Sequence, residues 1–379
     1  MSTNVSSTTW ATKPHYDILD GLRGVAALVV LCYHLFEAIA FAPLNSTTPE
    51  QQLYHGFIAV DFFFILSGFV MGYAYDERWQ HMSVGNFFRR RLIRLHPMVV
   101  MGVLVGVACF FIQGSTKWDG TAVSLPLILL CTLLSLFLLP TPTALEVRGN
   151  TEAFPLNGPH WSLFLEYIGS ILYALLLRRM PTRVLKVWVA VCAVLLLAFS
   201  LFMGENTIGY GWSSQPINLF GGLLRLSFGY PAGLLLARLY RHRMPSMLSG
   251  PVFLISTLVL LVLFLVPGLG SLSCFYQVLC VCVAFPLIVW YAARGSLTGA
   301  WLRVARFLGR ISYPLYAVHY PLVYLYIHWI QTHNPEGMAV WVAPLVVLVA
   351  NVLLATVCML FYDEPLRRWL LSSRTIRCS

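Results

Sequence analysis

Charge is what this chain has least of: 11% of its 379 residues are charged and only 15 are acidic. Soluble domains carry about a quarter charged residues. With 58% hydrophobic residues beside so little charge, a soluble globular fold is excluded and a bilayer is implied. The chain also lacks long polar insertions and low-complexity tracts, so one membrane domain over 1–379 is expected. The first sixteen residues hold no apolar run, so no cleavable signal peptide is expected. Nine cysteines form no CxxC pair, and the Cys280–Val281–Cys282 string sits in an apolar run. A redox motif, a disulfide framework and a thiolate metal site are therefore not expected. No two histidines stand at ligand spacing on one helix, so metal is expected to be absent. GxSxG is missing, which argues against a nucleophile-elbow hydrolase. No internal repeat is visible, which disfavours the commonest transporter architectures.

What the chain does have is apolar stretches of about 20 residues, the length of a membrane span. They lie near 21–42, 56–75, 92–113, 160–177, 185–203, 216–237, 248–266, 273–292, 311–330 and 339–361. One more apolar stretch covers 121–140. If it crosses, Arg89–Arg91 and Arg94 lie inside but every basic run from Arg178 onward lies outside. If it does not, all basic runs share one side and the other keeps only Lys117 and Arg148. The positive-inside rule then predicts an all-α bundle of about ten spans, with both termini cytoplasmic and 121–140 re-entrant or interfacial. Residues 1–16 and 363–379 become short cytoplasmic ends. Because the net charge of +10 gathers in these loop runs, it marks orientation in a lipid bilayer, and nucleic acid is rejected as a partner.

Ionisable groups within the spans are costly and are functional candidates. Arg23 and His34 share the first span, with ten residues between them and a rise of about 16 Å. Arg23 is placed near one face and His34 near mid-membrane, where an imidazole can exchange a proton near neutral pH. Asp61, Glu166, Arg225 and His319 occupy other spans at depths that suit mutual pairing. Glu37 lies near a span end and is expected to face headgroups. In FFRRRLIRLHP, Arg91 and Arg94 are three residues apart and share a helix face; arginine forks suit phosphate. In HWSLFLEY, Trp161 fits an interfacial belt, and Ser162 and Glu166 stand one turn apart, able to face one cavity.

Taken in order, LDGLRGVAALVVLCYH, GFIAVDFFFILSGFVM, RRRLIRLHP, HWSLFLEY, SYPLYAVHYPL and YDEPLRRWL resemble the motifs of the membrane acyltransferase-3 family. These are O-acyltransferases of bacterial surface glycans and some antibiotics. The resemblance covers nearly the whole chain. The esterase-like domain that some members fuse to this one is not expected here.

The resemblance implies an acyl-CoA donor, most often acetyl-CoA, used as co-substrate with no permanently bound cofactor. It implies a hydroxyl acceptor on a carbohydrate or glycosylated molecule, and residence in a bacterial inner membrane. Arg90, Arg91 and Arg94 would hold the donor phosphates. Arg23 would assist them or stabilise the thioester oxyanion. His34 would be the general base, oriented by Glu166 or Asp61; a covalent acyl-His relay is equally compatible. Trp161, Ser162, Arg225, Tyr313 and His319 are candidates for contacting the acceptor. The rival reading is a transporter or channel using the buried charges as a substrate or proton path.

Overall fold

The computed structural model describes residues 15–40, 54–240, 247–248 and 250–372. The expected end segments at 1–14 and 373–379, and Arg241, Arg243, Arg374 and Arg377 with them, lie outside the described residues. The described chain is almost wholly helical. In order it forms α1 (Asp17–Ala40), α2 (Ala59–Tyr75), α3 (Val84–Ile112), α4 (Leu125–Leu136), α5 (His160–Leu175), α6 (Thr182–Met203) and α7 (Pro216–Tyr240). Then follow α8 (Gly250–Leu265), α9 (Ser273–Leu279), α10 (Phe285–Ala292), α11 (Gly299–His333), α12 (Ala339–Cys358) and α13 (Glu364–Ser372). Short π segments at Cys280–Ala284 and Met359–Asp363 join α9 to α10 and α12 to α13. β1 (Met247–Leu248) pairs in parallel with β2 (Gly295–Ser296), tying two linkers together.

Among the described residues eight helices are long and apolar enough to cross a membrane. Leu258 on α8, Val191 on α6 and Leu353 on α12 are exposed, as lipid-facing side chains must be when tails are as apolar as leucine. Several helices outrun the expected spans. α3 begins at Val84, capped by the Ser83 hydroxyl on the Asn86 amide, and α11 runs 35 residues from Gly299. Charged turns extend these helices past the apolar window that marks a span.

Helix contacts are close where side chains vanish. Gly68 of α2 lies against the Tyr230 carbonyl of α7, and Gly233 of α7 lies against the Ile65 carbonyl of α2. A methyl at either position would overlap backbone. Gly68–Gly72 and Gly229–Gly233 thus face each other as two small-xxx-small pairs, a packing that membrane helices favour.

α4 spans 12 residues, about 18 Å, too short for a hydrocarbon core of about 30 Å. Its flanking loops meet each other. The Trp118 amide donates to the Arg148 carbonyl at 3.0 Å, and the Ala153 amide donates to Trp212 at 2.9 Å. Both ends of α4 therefore sit at one end of the bundle, with the loop before α7. At the opposite end, Arg306 pairs with Asp17 at 2.9 Å and Arg238 with Asp76 at 2.9 Å; this is the basic end. Cysteines introduced at Ala144, in the loop after α4, and at Arg183, both exposed positions, should accordingly label from opposite sides of a sealed vesicle. Labelling from one side would overturn this placement of α4.

Candidate active site

α1 carries the histidine and its partner on one face. His34 Nδ1–H donates to Glu37 Oε2 at 2.9 Å, one turn along the helix. A carboxylate only accepts, so the imidazole proton is on Nδ1 and Nε2 keeps its lone pair. Among the described residues Nε2 has no protein partner. The ring packs edge-on to Tyr320 and stacks on His319 with centroids 5.5 Å apart.

His34 and Glu37 line a cavity of about 560 Å³ at the α4 end of the bundle. Its walls include Trp118, Trp161, Trp212, Tyr33, Tyr320 and Tyr324. The volume lies within the ordinary range of small-molecule sites. Glu152, from the loop after α4, also lines it. The Tyr324 hydroxyl donates to Glu152 Oε2, and Asn150 Nδ2 donates to Oε1 at 2.8 Å. Burial pushes the Glu152 carboxyl up to about 7, against the pull of Arg148 beside it. Behind Glu152 the Arg148 guanidinium is fully buried. It lies 3.6 Å from the Tyr324 ring centroid and donates to the Pro155 carbonyl and to Gln113.

Several expected partnerships are corrected by the packing. Neither Glu166 nor Asp61 orients His34; Glu37 does, and it turns inward rather than toward headgroups. Glu166 instead accepts from Arg91 at 2.7 Å and from Ser67 at 3.2 Å. Arg91 is buried, with a second bond to Ser170, so it is committed within the bundle and not open to a phosphate. Asp61 takes Arg225 bidentately at 3.0 and 2.7 Å, and both side chains are 1% exposed or less. Arg225 still reaches the cavity wall, over the Trp161 ring. Ser162 and Glu166 do not share a cavity: the Ser162 hydroxyl is 2.6 Å from the Tyr316 hydroxyl. The Tyr313 hydroxyl donates to the Leu95 carbonyl and serves the α11–α3 contact. His319 sits behind His34, its Nδ1–H on the Tyr316 carbonyl and its buried Nε2 without a partner.

Nearer the basic end, Arg23 bonds Ser312 at 2.9 Å and the Gly309 carbonyl at 3.1 Å, and pairs with Asp20 at 3.1 Å. Arg94 lies within electrostatic reach of Arg23, Arg91 and Asp363. It is exposed, with no hydrogen bond or ion pair among the described residues. Arg90 is exposed on the same helix. Of the three arginines expected at a donor, Arg90 and Arg94 remain free. No group of three or more metal-ligating side chains exists among the described residues.

Sequence reasoning missed Glu37 as a partner, although its i, i+3 spacing from His34 was visible. It missed Glu152 for lack of any local signal. The helix that brings Tyr324 to Glu152 is 172 residues away in the chain.

Comparison with known proteins places this architecture. The family model described as an acyltransferase domain, the acyltransferase-3 type, matches residues 16–363. "Protein 2 in picA locus" of Rhizobium radiobacter is 31% identical over 48% of this chain and 92% of its own length. Acyltransferase MdmB of Streptomyces mycarofaciens is 32% identical over 45% of this chain and 41% of its own. Peptidoglycan O-acetyltransferase OatA of Listeria monocytogenes is 32% identical over 26% of this chain and 14% of its own. The chain thus spans less than half the length of these two acyltransferases. No solved structure matches.

Proposed function

This chain belongs to the acyltransferase-3 family, and from that premise we propose that it moves an acyl group, acetyl in the first instance, from acyl-CoA to a hydroxyl of a carbohydrate acceptor. It is a multi-pass membrane enzyme, which we place in a bacterial inner membrane with the basic end cytoplasmic. The observation that carries the reading is the His34–Glu37 dyad on the wall of an aromatic cavity. Aromatic faces suit the apolar faces of sugar rings, and flanking carboxylates accept from hydroxyls.

In the proposed step, His34 Nε2 takes the proton of the acceptor hydroxyl as its oxygen attacks the thioester carbonyl carbon. Glu37 stabilises the imidazolium that forms. The tetrahedral intermediate collapses, the C–S bond breaks, and the imidazolium returns its proton to the CoA thiolate. Acyl group, proton and electron pairs are all accounted for without a further reactant. The donor enters from the basic end. Arg94, an uncommitted guanidinium beside Arg23, receives its phosphates, and α1 provides the path from Arg23 to His34.

The test is acetyl-CoA consumption by the purified protein in nanodiscs, with and without a neutral oligosaccharide. Consumption that depends on acceptor is the expected result. Arg94→Ala should raise the KM for donor about tenfold with kcat little changed, since a charge-assisted contact contributes roughly 1.5 kcal/mol or more. Arg91→Ala should fail differently, by lowering the yield of folded protein, because half-buried Glu166 loses its counter-charge and keeps only the Ser67 hydroxyl. An unchanged donor KM in Arg94→Ala removes that residue from the donor site.

A further inference from the structure

We propose that the cavity selects its acceptor by charge, accepting neutral and amino sugars and rejecting acidic ones, with Glu152 as a specificity-determining residue. The proposal rests on reading the cavity as the acceptor site. The charged side chains on its wall are Glu37, Glu152 and Arg225, beside His34. Arg225 brings no free charge, because Asp61 takes its fork from both oxygens and the Tyr210 carbonyl takes a third N–H at 2.7 Å. Arg148 stands behind Glu152, not on the wall, and faces Glu146 and Glu152 together.

With His34 neutral, four carboxylates (Glu37, Asp61, Glu146, Glu152) therefore meet two guanidinium groups (Arg148, Arg225). Lys117 in the adjoining loop is offset by Asp119, with which it interacts. Once Glu152 is ionised, two negative charges are left uncompensated, in a pocket that also presents eight aromatic side chains. An acceptor carboxylate or phosphate entering there meets like charge at low local dielectric with no cation to receive it. A hydroxyl donates to either carboxylate, and an ammonium is attracted by both.

Glu152 is also positioned to change its charge near neutrality. Burial sets it near 7, and the groups facing it are Arg148, Glu146, Tyr324, Tyr320 and Asn150. Discrimination against acidic acceptors should therefore strengthen as pH rises through 7, where the carboxyl becomes a carboxylate.

The experiment uses the full chain in nanodiscs with acetyl-CoA and three tetrasaccharides: chitotetraose, its de-N-acetylated amine form, and tetragalacturonate. The wild type should use the neutral and amine forms at least 100-fold better than the acidic one in kcat/KM. Glu152→Gln should narrow that ratio at least tenfold, because the acidic acceptor improves in absolute terms, and should flatten its pH dependence between 6 and 8. A merely structural Glu152 would lower all three acceptors together, and that result overturns the proposal. Equal use of tetragalacturonate by the wild type overturns the charge rule alone. Acceptor-independent behaviour with every sugar, while donor still binds, overturns the acceptor reading and this proposal with it. Quenching of Trp118, Trp161 and Trp212 fluorescence by each sugar gives a binding readout independent of turnover, with the same order expected.

Discussion

His34→Gln should reduce acyl transfer by roughly 10²–10⁴-fold, the usual cost of losing a general base, while insertion and donor affinity stay near wild type. Glutamine can donate to Glu37 from its amide nitrogen, so the local hydrogen bond of 2.9 Å can be replaced. It cannot take up the acceptor proton. His34 is partly exposed to the cavity, so the change opens little core and folding should survive. Glu37→Gln should fall less far, because Nε2 keeps its lone pair but the forming imidazolium loses its counter-charge. The control is His319→Gln. Its buried ring holds the Tyr316 carbonyl and stacks on His34, so loss there should appear in stability as well as rate. Full transfer activity in His34→Gln would move the search for the base to His319.

Asp61→Ala should destabilise the folded protein by about 3–5 kcal/mol, because it strands the Arg225 guanidinium without its counter-charge. Both partners are 1% exposed or less, so water cannot compensate. Thermal unfolding in detergent, followed by loss of the monodisperse species, measures this. Replacing both members, Asp61→Leu with Arg225→Met, should recover most of the loss, since a well-packed apolar pair is often neutral relative to a buried ion pair. If Asp61→Ala unfolds like wild type, the pair contributes nothing to the α2–α7 contact. That outcome would contradict the burial of both groups.

Composition and hydrophobic period settle the bilayer and the all-α class, because each span must satisfy its own backbone hydrogen bonds in hydrocarbon. Charge bias also indicated that 121–140 stays at one end, in agreement with the short α4. Those signals are local: twenty residues contain them. Arg23 and His34 stood out as candidates for the same reason, since both lie on one helix at a spacing the eye can count.

The partners of the buried charges were not legible, and here the tertiary structure decided. Glu166 could have met His34 or Arg91 by depth alone; the α3–α5 contact gives it to Arg91. Asp61 went to Arg225 because Gly68 and Gly233 let α2 and α7 approach to backbone contact. Arg91 and Arg94 share a face on paper, yet the first is buried and the second exposed, because only one of them points at α5. The cavity itself is assembled from α1, α11, the loops before α4, α5 and α7, and single side chains of α2, α5 and α7. A sequence specifies which side chains carry charge and how far along a helix they stand. Which helix lies opposite depends on the packing of small residues across the whole bundle, and in this protein that packing determines whether a charge becomes a structural pair or stays free for chemistry.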